Sequence, residues 1–125
     1  MRYDLEDRTC RFALAVRGFV KQLPRTLSNV EDSKQLVRAS GAVGANYVEG
    51  NEALGQKDFA MRMRISRKEA KECRYWLQLV DLESAPQLSA RRAELLQEAD
   101  ELTKIFGAII RNTTGRNRPP SSHDV

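Results

Sequence analysis

Residues 57–82 read KDFAMRMRISRKEAKECRYWLQLVDL, and this stretch decides the fold. At about 100° per residue, Phe59, Met63, Ser66, Ala70, Cys73, Leu77 and Val80 fall on one line at alternating spacings of four and three, the pattern of a buried helical seam. Met61, Ile65, Trp76 and Leu79 form a second apolar line on the far side of the same helix. A helix in a small monomeric bundle needs one buried stripe. The second therefore predicts another chain against it, because 125 residues can hardly supply a further element. Met61, Ile65, Trp76 and Leu79 are the expected oligomer interface.

A basic face lies between the two stripes. Residues 57–74 carry seven basic and three acidic side chains, against a formal net charge of +4 for the whole chain. Lys57, Arg64, Arg67, Lys68, Lys71 and Arg74 share a sector of about 120°. Two readings stand. The face is a solvated surface kept soluble by long cationic side chains, or it is a phosphate-binding ridge that oligomerisation would multiply. On the second reading Arg64, Arg67, Lys68, Lys71 and Arg74 are the contacts, helped by Arg116 and Arg118.

The remaining chain shows three more helical patterns and no sustained period-two alternation or hairpin turn. The first runs from about residue 4 to 23, with Leu5, Phe12, Val16, Phe19 and Leu23 inward and Pro24 ending it. The second runs from about 31 to 49, with Leu36, Ser40, Val43 and Tyr47 inward, Asn29 as N-cap and Gly50 at a left-handed C′ position. The fourth follows the 84–86 turn, with Leu88, Leu95, Ala99, Leu102, Phe106 and Ile109 inward. Connections of about 4–8 residues favour antiparallel neighbours, hence an all-α, up-down-up-down four-helix bundle over residues 1–114. Residues 115–125, GRNRPPSSHDV, read as a disordered polar tail. In the second helix, 39–45 is ASGAVGA. Each interior glycine costs roughly 1 kcal/mol against alanine, so Gly41 and Gly44 imply close approach by a neighbouring helix.

Composition excludes several classes. Charged residues make up 30% of the chain and the mean hydropathy is −0.56. No apolar run approaches the roughly 18 residues of a membrane span, and the N-terminus carries acids where an export signal needs an apolar core. A cytoplasmic protein with no membrane partner is expected. Cys10 and Cys73 lack CxxC spacing and read as buried or half-buried thiols in a reducing compartment. Catalysis needs convergent titratable groups, and none is visible: the single histidine, His123, lies in the tail, and no Glu-x-x-His pair or Gly-rich phosphate loop occurs. Glu69 and Glu72 alternate with Lys68 and Lys71, which suits surface ion pairs. Tyr75, Trp76 and Phe106 read as packing and interface residues. No catalytic residue, metal or cofactor is expected.

RASGAVGANYVEG (38–50), NEALGQKDF (51–59) and RKEAKECRYWL (67–77) resemble the four-helix bundle proteins related to 23S rRNA intervening-sequence proteins. The Asn46-x-x-Glu49-Gly50 element is that family's signature, and the family pattern often has Ser where this chain has Ala42 and Ile where it has Tyr47. The resemblance implies an antiparallel bundle that assembles as a ring-shaped homopentamer. It extends to accessory proteins of diversity-generating retroelements, which look like basic, nucleic-acid-associated pentamers partnering a reverse transcriptase. It implies no established activity for most members. Asn46 and Glu49 are neighbours on one helix face and read as structural, tying the second helix to the 51–56 loop. A carboxylate at a helix C-terminus is disfavoured by the dipole, so a compensating partner is expected for Glu49.

Two functions follow. One is a non-enzymatic homo-oligomer binding RNA or DNA phosphates through the basic face. The other is an oligomeric structural adaptor engaging a protein partner, with no nucleic-acid binding.

Overall fold

The apolar seams of four successive helices close on one another. The computed structural model describes the backbone of residues 2–117 and the side chains of residues 5–113. Its elements are α1 (Arg2–Gln22), α2 (Leu27–Asn51), α3 (Gln56–Leu79), a 3₁₀ turn (Pro86–Leu88) and α4 (Ser89–Asn117), with no strand among the described residues. The expected inward residues of α2 are all buried, as are those of α3 apart from Phe59, which is half-buried at the rim. In α4 the seam ends on Ile110, with Ile109 leaning on the core from its edge. Tyr47 and Phe106 meet edge to face across the bundle, with centroids 5.9 Å apart. Such a pair is worth about 0.5–1.5 kcal/mol beyond its area.

The helix α3 packs broadly on both α2 and α4, whereas α1 rests on α2 and more thinly on α4. That thin seam is bridged by charge. The Arg8 guanidinium grips Glu98 with two bonds of 2.7 and 2.8 Å and reaches Glu101 at 2.6 Å. The hydrogen bond to Glu98 above all makes Arg8 hold its proton more tightly. Hydrogen bonds from Gln97 and Arg8 lower the Glu101 pKa.

Several sequence expectations are corrected. The N-cap of α2 is Thr26, whose side chain accepts the Asn29 N–H at 3.2 Å, so the helix begins well before residue 31. Asn29 is buried instead. Its amide donates to the carbonyls of Pro24 and Asp81, each at 3.0 Å, and accepts the Asp81 N–H at 2.8 Å. Gly50 is not left-handed; no described residue has positive φ. It lies inside α2, where a Cβ would run into the Met63 Cε methyl and sit 3.2 Å from the Arg62 Cβ. Gly44 fits the close-approach argument: a Cβ there would stand 2.7 Å from Thr9 Oγ1. Gly41 does not, because its nearest neighbour is the Arg17 guanidinium at an ordinary 3.5 Å. Cys10 is exposed while Cys73 is buried, and both are free thiols. The helix α4 continues to Asn117, past the expected boundary at 114; the rest of the tail, with Arg118 and His123, lies outside the described residues.

Candidate nucleic-acid interface

The seam of α3 turns Met63, Ser66, Ala70, Cys73 and Leu77 into the core, and by helical geometry its cations stand on the outer side. There Arg64, Arg67, Lys68 and Lys71 join Glu72, Tyr75 and Trp76 around an open concavity of ≈ 530 Å³. One helix supplies every lining residue, over about 18 Å of its axis. Lys68 Nζ lies 3.6 Å from Glu72, whose other oxygen is 3.6 Å from Arg38. Arg64, Arg67 and Lys71 form no ion pair among the described residues. Four of the five predicted contacts are therefore brought together. Arg74 is not among them: its Nε pairs with Asp100 of α4 at 3.3 Å, which binds it to the fold rather than to the concavity.

Tyr75 and Trp76 form an edge-to-face pair beside these cations, with ring centroids 5.1 Å apart at 74°. Of the three aromatics expected to serve packing and interface, Phe106 is fully buried, Trp76 leans on the core and Tyr75 is 55% exposed in the single chain. The Trp76 Nε1–H is buried without a partner among the described residues, a penalty of roughly 1–3 kcal/mol. Along the second apolar stripe, Met61 and Leu79 are 44% and 46% exposed while Ile65 and Trp76 are half-buried. Trp76 thus belongs to the stripe, to the monomer's own packing and to the basic concavity at once. The sequence pattern had kept these faces separate.

The Asn46, Glu49 and Gly50 motif has a different geometry from the one expected. Asn46 donates to the Ala42 carbonyl and accepts from the Arg62 guanidinium, both at 2.9 Å. The first bond stays within α2 and the second crosses to α3, not to the 51–56 loop. Arg62 was missed by sequence reasoning, although its position off the shared cationic sector is a readable signal. Its Cβ lies over Gly50 and its head group meets Asn46. Glu49 is exposed, and its carboxylate forms no ion pair among the described residues. Glu69, also on α3, is buried, with Oε1 unpartnered by any hydrogen bond and 4.0 Å from Arg38.

No group of three or more His, Cys, Asp or Glu side chains among the described residues could hold a metal ion. No described helix is long and apolar enough to cross a membrane. What the site offers is clustered positive charge beside an exposed ring.

The family model described as 23S rRNA-intervening sequence protein matches residues 2–108. The chain belongs to that family. The matched span takes in the whole concavity and the Asn46, Glu49 and Gly50 motif. The chain is also similar to a crystal structure of a protein of unknown function from the S23 ribosomal protein family of Bacteroides thetaiotaomicron VPI-5482. The two share 26% identity with a TM-score of 0.71, over 84% of this chain and 96% of the other. No curated protein matches the chain.

Proposed function

We propose that this intervening-sequence family protein is a non-catalytic, cytoplasmic homo-oligomer that holds RNA or DNA by its phosphates in the α3 concavity. The observation that carries the reading is the concavity itself: Arg64, Arg67, Lys68 and Lys71 converge on it with one carboxylate, Glu72, to offset them. Clustered cations attract a polyanion with little regard to sequence. An up-down-up-down bundle beneath it is supported by the α2–α3 pair. Residue 29, early in α2, meets residue 81 beyond the end of α3, and Asn46 late in α2 meets Arg62 early in α3, as antiparallel neighbours require. The half-exposed Met61 and Leu79 support burial against a second copy, and the family resemblance supports a ring of five.

The test is an anisotropy titration of nuclease-treated protein with labelled structured RNA at low and physiological salt. Affinity should fall by about 0.7–0.9 log units per log salt for each phosphate neutralised. Arg64→Glu with Lys71→Glu should abolish binding while the circular dichroism stays unchanged. Absence of binding at low salt would reduce the basic face to solubility and favour the protein adaptor.

A further inference from the structure

We infer that the concavity takes single-stranded rather than duplex nucleic acid, with one base stacked on Tyr75 while the Arg64, Arg67, Lys68 and Lys71 cluster holds the adjoining phosphates. This rests on the phosphate-binding reading and adds the substrate class. A tyrosine with more than half its surface in water gains little from the bundle's core. It lines the same concavity as four cations, so another apolar surface lying there would have to desolvate them. A nucleotide suits both, since each carries a flat π-face and a negative phosphate.

Between Arg64 and Lys71 the helix axis advances about 10 Å, so the four cations form a row along which a phosphate backbone can run. The concavity lies open along one face of α3, where a flexible strand can run with a base turned onto Tyr75. A duplex keeps its bases paired and stacked, leaving Tyr75 with nothing to stack on. Trp76 stands edge to face against Tyr75, which restricts the ring before any base arrives. Trp76 is a positioning residue here, with Tyr75 making the contact.

The chain contains one tryptophan, so its own fluorescence reports on the site wherever light scattering shows the mass unchanged by the ligand. Full-length protein would be titrated with an oligo(U) strand of about 12 nucleotides, within the usual single-strand site size, then with the matching RNA duplex and with inorganic polyphosphate of equal charge. The single strand should bind more tightly than either and change the Trp76 emission. Tyr75→Ala should weaken the single strand by about 5- to 150-fold, the loss expected for one stacked base, while Tyr75→Phe retains it. If all three polyanions bind alike and Tyr75→Ala changes nothing, stacking is overturned and phosphate binding survives. If none binds, both readings fail. A Tyr75→Ala chain whose mass falls in light scattering would place Tyr75 under a second copy, which also overturns the inference.

Discussion

Asn29 and Asp81 stand 52 residues apart in sequence and are joined by two hydrogen bonds, one in each direction between the Asn29 side chain and the Asp81 backbone. A third bond runs from Asn29 to the Pro24 carbonyl. One buried amide therefore fastens the 23–26 connection to the chain leaving α3. Asn29→Ala removes all three bonds and leaves their backbone partners to find water at the rim. The expected loss is about 2–3 kcal/mol, read as a lower urea midpoint at constant slope. Arg25→Ala, at an exposed neighbour, should stay within about 0.5 kcal/mol of the parent.

The small-residue run of α2 should divide by position. Gly41→Ala meets only an ordinary contact and removes a flexible residue from a helix interior, so a gain of about 0.5–1 kcal/mol is expected. Gly44→Ala drives a methyl against Thr9 Oγ1 and Cβ, at 2.7 and 3.1 Å. The Thr9 hydroxyl is held by the Glu6 carbonyl and cannot swing far, so a cost of about 1–3 kcal/mol is expected. Thr9→Ala in the Gly44→Ala background should recover part of it. Thermal melts of the four chains would show whether the close approach lies at residue 44 or along the whole run.

The two thiols should differ sharply in reactivity. At pH 8 a disulfide reagent should modify exposed Cys10 in the native protein and reach Cys73 only after unfolding. Burial pushes the Cys73 thiol up to about 12, with Glu69 and Glu72 adding to the shift. Its folded pKa is thus above the ordinary value of 9.0, and the neutral thiol is the form that the fold favours. That contribution is complete below about pH 9 and is lost as pH rises towards 12. Parent stability should therefore fall more steeply than that of Cys73→Ala across this window. Parallel slopes would show that Cys73 does not titrate differently in the two states.

Assembly is separable from nucleic-acid binding. Light scattering should give a mass near five times the 14.2 kDa chain. Met61→Glu with Leu79→Glu alters two half-exposed positions and should shift the mass towards a single chain without unfolding it. Trp76→Arg should do the same, but with a lower melting temperature, because Trp76 also leans on the core. A parent that is monomeric at micromolar concentration would mean that the second stripe is not an interface.

Periodicity alone was enough to place four helices and nearly all of their inward faces, because a buried seam has to repeat every 3.5–3.6 residues whatever it packs against. The cationic sector was legible for the same reason: residues 64–71 lie on one helix, and their relative angles are a local property. Partnerships between helices were not. Arg62 finding Asn46, Arg74 turning to Asp100, Thr26 rather than Asn29 capping α2, and Gly50 making room for Met63 each depend on how two helices rotate and slide against one another. The sequence by itself determined the bundle, its seams and the charge along α3, all of which follow from local geometry. Only the tertiary structure decided which cations remain unpaired, which glycines face a close neighbour and that Tyr75 is half-exposed in the single chain, because those outcomes are settled by distances between segments far apart in the chain.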